Sequence, residues 1–192
     1  MTRLALALAT LAGAFGTAGA AAQAPLSAPP GFHLQVLEAT DGRAIVPDGW
    51  TYTNHGTADG WIWTFAKENN PDGHYDTGMR IQLVVGAATA RHQSVADLAR
   101  GVLEQKRRAG EVVVDCPATD AGDFMRQCLQ TLEGTAPRYH VLYSLFWSKK
   151  GDMLVVTTFG TPEPWWTRDA PIADRMAAFQ IIGPDLGKTA AP

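Results

Sequence analysis

Tyr139-His140-Val141-Leu142-Tyr143-Ser144-Leu145-Phe146-Trp147-Ser148, followed by Lys149-Lys150-Gly151-Asp152 and then Met153-Leu154-Val155-Val156-Thr157-Thr158-Phe159, is the stretch that decides the fold. In an extended chain, successive side chains point to opposite faces. Tyr139, Val141, Tyr143, Leu145 and Trp147 therefore share one face, and Leu142 and Phe146 lie on the other with His140, Ser144 and Ser148. Two β-branched and aromatic runs around a Gly-bearing turn predict a hairpin. Apolar residues on both faces predict strands covered on both sides, so the hairpin belongs in the middle of a sheet.

Upstream of the hairpin, Ser94 to Ala109 is the clearest helix. Ser94 suits an N-cap with Asp97 three residues on, and Val95, Leu98, Ala99, Val102 and Leu103 form one apolar stripe. Lys106, Arg107 and Arg108 fill the last turn before Gly110, where cations complement the helix dipole; the same cluster would also suit an acidic partner. Nearer the start, Phe32 to Ala39 alternates loosely, turns at Asp41-Gly42 and returns through Arg43 to Val46. Pro47-Asp48-Gly49 is a second turn, before Trp50 to Thr53. Trp61, Trp63 and Phe65 alternate, as do Met79, Ile81, Leu83 and Val85, which predicts a meander of antiparallel strands in the first half. After the hairpin, Pro171 to about Ile181 predicts a shorter helix with Ile172, Met176 and Phe179 on one face, ended at Gly183-Pro184. The result is one α+β domain over residues 32–183.

The chain opens with an address. Arg3 and the apolar run Leu4 to Phe15 precede small residues that permit cleavage after Ala20 or, preferably, after Ala22, so residues 1–22 are read as a signal peptide. The apolar run is shorter than the roughly 20 residues a membrane span needs. Residues 23–31 and 184–192 are expected to be a disordered leader and tail. The expected protein is exported, in a bacterial periplasm, with no membrane span in the mature chain. The whole chain has a net charge of −3, and without Arg3 it is −4. That mild acidity argues against nucleic acid or an anionic membrane as the main partner. Apolar residues make up 46% of the chain and include six Trp, enough for a sizeable core.

Cys116 and Cys128 are the only cysteines. An oxidising compartment makes their pairing the expectation, and adjacent antiparallel strands can bring two Cα atoms within the ~7 Å a disulfide needs. The spacing is not Cys-x-x-Cys, and nothing nearby would activate a thiolate, so a structural role is favoured over a redox one.

Taken in order, the elements run from Val46-Pro47-Asp48-Gly49-Trp50 at the start of the early strands, through the helix Ser94 to Ala109 and four later strands, to Met176-Ala177-Ala178-Phe179-Gln180-Ile181. This order resembles the PsbP-like family over roughly Phe32 to Ile182. The resemblance implies an antiparallel sheet flanked by helices, an α/β/α sandwich. The family includes a lumenal subunit of photosystem II, a Ran-binding nuclear factor and exported bacterial proteins. It also implies a partner-binding or assembly role, with another exported protein as the partner. None of the family's contact residues has a matching motif here, and Cys116, Cys128, Trp165 and Trp166 read as local features.

Two segments stand out as candidate sites. Asn69 to Gly78 carries Asp72, His74 and Asp76, which could converge on a ligand or a hard metal. The loop lacks the Gly and terminal Glu of a calcium-binding EF-hand, its turn-forming residues explain it without a ligand, and no metal or other cofactor is expected. Gly160 to Arg168 sets Trp165 and Trp166 beside Pro162 and Pro164, an aromatic surface suited to a partner or a sugar ring. The alternative is that these Trp seal the edge of the core, with one partly exposed. The five His are scattered, and there is no Gly-x-Ser-x-Gly elbow, phosphate loop or dinucleotide fingerprint. His140 and Ser144 share a strand face but sit about 13 Å apart along it. The sequence therefore reads as a non-catalytic binding or assembly module. A small-ligand or carbohydrate binder is the first alternative, and a hydrolase with a site assembled from distant residues is the second.

Overall fold

A computed structural model describes residues 26–69 and 74–183. The signal peptide read over residues 1–22, the start of the leader, Asp72 and the tail 184–192 fall outside that range. In chain order the elements are β1 (Phe32–Leu37), β2 (Asp41–Pro47), β3 (Thr51–Thr57), β4 (Gly60–Ala66) and β5 (Gly78–Val85). Next come α1 (Ala87–Arg91), α2 (Val95–Ala109), β6 (Glu111–Asp115), β7 (Thr119–Ala121), β8 (Phe124–Glu133), β9 (Tyr139–Ser148) and β10 (Met153–Pro162). One turn of 3-10 helix (Glu163–Trp165), α3 (Trp166–Met176) and β11 (Phe179–Ile182) complete the described chain.

The strands form two antiparallel sheets. The main sheet has eight strands, seven in the order β3-β4-β5-β10-β9-β8-β6, with β7 also paired to β8; the small sheet is β1-β2-β11. The hairpin predicted around Lys149 to Asp152 is β9–β10, with Leu154 opposite Trp147 and Phe159 opposite Leu142. It lies inside the main sheet as expected, flanked by β5 and β8. The expected single meander is instead split. β1–β2 belongs to the small sheet, and the chain first enters the main sheet after Pro47-Asp48-Gly49, where Gly49 has a φ of +79°. Proline ends the pairing of one hairpin and glycine supplies the left-handed turn that redirects the chain to the other sheet.

The helix read from Ser94 forms as predicted. The Ser94 hydroxyl accepts from the Asp97 backbone N–H, and Val95, Ala99 and Leu103 are buried. They pack on one face of the main sheet against Leu129, Val141, Tyr143, Leu145, Trp147 and Leu154. Arg107 pairs with Asp115 at 2.8 Å, so part of the basic last turn serves the protein's own edge strand. On the opposite face, Trp63, Phe65, Ile81, Leu83, Val155 and Phe159 meet the small sheet through Leu37, Ala44, Val46 and Ile181, and α3 through Ala173 and Met176. Each such large side chain, fully buried, contributes about 1.5–3 kcal/mol. The two covered faces fit the sandwich that the order of elements resembles.

The closing segment departs from expectation. The helix predicted over Pro171 to Ile181 runs instead from Trp166 to Met176, with Pro171 inside it, and Phe179–Ile182 is a strand paired with β2. Ile172, Met176 and Phe179 have helical spacing, but Phe179-Gln180-Ile181-Ile182 is a β-prone run. The open edge of β2 offers it backbone partners, and that tertiary contact decides the outcome. The helix also starts earlier, because the turn Glu163–Trp165 leads directly into it.

Cys116 and Cys128 are joined in a disulfide with a Cα–Cα distance of 5.0 Å. The Cys116 N–H also donates to the Cys128 carbonyl, so the bond ties the end of the edge strand β6 to β8. In place of a plain turn, the loop between them contains β7 and a Gly122 turn. Replacing both cysteines with serine should lower unfolding stability by about 2–3 kcal/mol, since a loop this short constrains the unfolded chain by that amount. Denaturant melts of the oxidised protein and the double variant would check this.

Candidate functional site

The end of the main sheet where β5 begins and β10 ends holds both segments singled out by sequence. Their described residues are joined there by hydrogen bonds and ring contacts. Glu68 accepts hydrogen bonds from the backbone N–H groups of Asp76 (3.1 Å) and Thr77 (3.0 Å). Asp76 in turn accepts from the Tyr139 hydroxyl at 2.6 Å. That bond, helped by burial, pushes the Tyr139 pKa up to about 12, so the proton stays on the tyrosine. His74 lies 3.6 Å from the same Asp76 carboxylate. Among the described residues no three His, Cys, Asp or Glu side chains converge to hold a metal ion. Asp72 lies outside the described residues.

The two tryptophans have separate jobs. Trp166 stacks on His140, with ring centroids 3.7 Å apart and planes 7° from parallel, and meets Phe159 edge-on. It packs, partly buried, against the core. His140 also shares a hydrogen bond with Gln130 at 3.0 Å, and burial holds its pKa below the ordinary histidine value, which keeps the stacked ring neutral. Trp165 is 39% exposed, but the Lys67 ammonium (5.7 Å) and the Arg168 guanidinium (4.9 Å) lie over its ring. Both are cation–π contacts. Instead of a loop, Gly160 to Arg168 is the end of β10, the 3-10 turn and the start of α3.

A buried polar chain fixes this end of the molecule. Asp169, in the first turn of α3 and 1% exposed, accepts from both arms of Arg168 at 2.7 and 2.8 Å and from the Thr161 hydroxyl at 2.8 Å. Thr161 has one hydroxyl proton and gives it to Asp169, so Thr77 donates in the 2.9 Å contact between the two threonines. Burial opposes ionisation of Asp169. The Arg168 and Thr161 bonds, with the Arg168 and Lys67 charges, outweigh it and hold the carboxyl below the usual range.

The open site lies elsewhere. On the small-sheet side of the main sheet, cover is complete over β4 and β5 but incomplete over β8, β9 and the part of β10 that carries Met153 and Thr157. A groove of about 670 Å³ remains between β11 and the β8–β9 face. Its floor is a ladder of three phenylalanines. Phe124 meets Phe146 edge-on at 5.7 Å, and Phe146 meets Phe179 at 5.9 Å. Met153 extends the floor, Ser144 and Thr157 add hydroxyls, and Arg43 and Arg126 line it from the small and main sheets respectively. Apart from Ser144, weighed in sequence only as a partner for His140, none of these was singled out as a site from sequence. The phenylalanines lie on three separate strands, and Phe179 reads as helical until its pairing with β2 is known. The one local signal is the alternation of Phe124 and Arg126, matched across the sheet by Phe146 opposite Arg126.

No family model matches the chain, and no curated protein matches it in sequence. Solved structures do. Mog1p, a Ran-binding protein of Saccharomyces cerevisiae, is 10% identical with a TM-score of 0.50, the match covering 81% of this chain and 97% of that one. Cyanobacterial PsbP (CyanoP) from Synechocystis sp. PCC 6803 is 12% identical with a TM-score of 0.49, over 87% of this chain and 98% of that one. At such identity the likeness to Mog1p concerns the fold alone, and it agrees with the PsbP-like sandwich that the order of elements resembles. The chain has that fold.

Asp169 carries a signed prediction. Its folded pKa is depressed, so its stabilisation is present above the unfolded value of about 3.9 and is lost as pH falls through the lower folded value. Asp169→Asn should cost about 2 kcal/mol at neutral pH, as loss of a charged hydrogen-bond acceptor does, and should flatten the acid limb of stability against pH. Chemical denaturation from pH 2 to pH 7 would measure both.

Proposed function

We propose that this chain is an exported, periplasmic, non-catalytic binding module whose recognition site is the groove between β11 and the β8–β9 face. One observation carries the reading. The small-sheet side of the main sheet carries the larger opening: Phe124, Phe146 and Phe179 border a trough of about 670 Å³, against about 200 Å³ for the cleft beside α2 that Leu98, Val102 and Val156 line. Its volume lies within the roughly 300–1,000 Å³ common for ligand sites, and its lining combines an apolar floor with a few polar groups in the same way. The fold supports a binding role, since Mog1p is a Ran-binding protein. The signal-peptide pattern of residues 1–22 and the disulfide support export.

The test uses a neutral apolar dye, so that charge plays no part. Nile red should bind the oxidised protein saturably at one site. Ala177→Trp, at an exposed position lining the groove, should fill the trough and weaken binding by about tenfold or more, the equivalent of about 1.4 kcal/mol. Unchanged binding in a folded Ala177→Trp protein would exclude the groove as the apolar site.

A second reading is favoured by the edge of the main sheet. In the edge strand β6, Val112, Val113 and Val114 are 42%, 46% and 40% exposed. An exposed, apolar strand edge can accept a strand from another exported protein. A photo-crosslinking residue at position 113 should then capture a discrete partner in the periplasm. Capture from groove positions alone would assign recognition to the groove.

A further inference from the structure

The groove also indicates what it holds. We propose that its ligand is a free amphipathic anion of fatty-acid type, with its apolar body on the phenylalanine floor and its carboxylate between Arg43 and Arg126. This rests on the groove being the recognition site and adds the chemistry of the occupant.

Three observations support it. First, the two arginines are unused. Arg100, Arg107, Arg138 and Arg168 pair with Asp97, Asp115, Glu111 and Asp169 at 2.7–2.8 Å, and Arg108 pairs with Glu104. Among the described residues the guanidinium of neither Arg43 nor Arg126 has an acidic or hydrogen-bonding partner. Second, no carboxylate is among the described residues that line the groove, although the chain as a whole has more acidic than basic residues. A local pair of guanidiniums on an acidic protein concentrates the field that an anion would follow. Third, the charges and the apolar surface belong to one site. Arg126 is the cross-strand neighbour of Phe146, the central rung of the floor, and Arg43, which alternation sets on the opposite face of the small sheet from Phe179, lines the groove at its rim beside Gln180.

A planar guanidinium presents a fork of N–H donors that matches a carboxylate. A sugar would leave both charges unpaired, and a neutral hydrocarbon would leave them beside an apolar body without compensation. An anionic head on an apolar chain satisfies both halves of the site. The size of the trough suits a single small molecule rather than a folded domain.

Decanoate and decanol share an apolar chain and differ in the head, and Nile red displacement compares them on one protein. Decanoate should displace the dye at about one-tenth the concentration that decanol requires, since a bond between charged groups is worth about 1.5 kcal/mol or more. Arg43→Gln with Arg126→Gln changes two exposed positions, so the variant should fold normally. It should bring the ratio to about one while leaving decanol displacement unchanged. Equal displacement by the two compounds in the parent protein, or a preference for decanoate that survives in the double variant, would overturn the anion proposal and leave the groove intact. Failure of both compounds to displace the dye, with dye binding indifferent to Ala177→Trp, would instead remove the groove itself.

Discussion

The structure depends on an unequal covering of one sheet. The β9–β10 hairpin places apolar side chains on both of its faces, and each face must be removed from water. On one side the cover is α2 with Ala87 of α1, and Leu103 and Ala99 sit against Leu129, Tyr143 and Leu145. On the other side the cover is a three-stranded sheet and one short helix, which together are narrower than the eight strands beneath. They seal Trp63, Phe65, Ile81 and Phe159 completely. Over β8 and β9 they stop short, and the uncovered strip, floored by Phe124 and Phe146, becomes the groove. The site is a consequence of how far the second layer extends.

The placement of that layer has its own anchor. Asp169 joins α3 to the end of β10 through Thr161, and Thr161 joins to the start of β5 through Thr77. With α3 fixed there, Met176 reaches the core and the chain turns at Ala177 into β11. The wall of the groove is therefore set by a polar contact at the far end of the sheet. The residues most conspicuous in the sequence serve that same end: Trp166 against His140, Trp165 beneath Lys67 and Arg168, and Asp76 holding the Tyr139 hydroxyl. Their contacts join the approach to β5 and the start of β9 to the start of α3.

This explains what could be read in advance. The hairpin, the capped helix from Ser94 and the cysteine pairing are local patterns, and each carried its own evidence in adjacent residues. The order of elements then sufficed to show the resemblance to the sandwich fold. The separation of β1–β2 into a second sheet depends on where Val46 and Leu37 find burial, which no neighbouring residue specifies. Phe179-Gln180-Ile181-Ile182 has spacing compatible with helix or strand, and only the free edge of β2 decides between them. The groove inherits both uncertainties, because its strand residues come from β2, β7, β8, β9, β10 and β11 and meet only after those choices are made. Tryptophan and histidine stand out in sequence because they are chemically versatile; the unpaired guanidiniums of Arg43 and Arg126 emerge only against the acidic partners that Arg100, Arg107, Arg108, Arg138 and Arg168 find in the fold.

The most direct measurement is a map of ligand contact in solution. Two-dimensional NMR of the labelled, oxidised protein, titrated with decanoate, should shift resonances of Phe124, Arg126, Ser144, Phe146, Met153 and Phe179. Those of Trp165, Trp166, His74 and Asp76 should stay in place. Shifts concentrated on that second set, or scattered over the surface without saturation, would contradict the account.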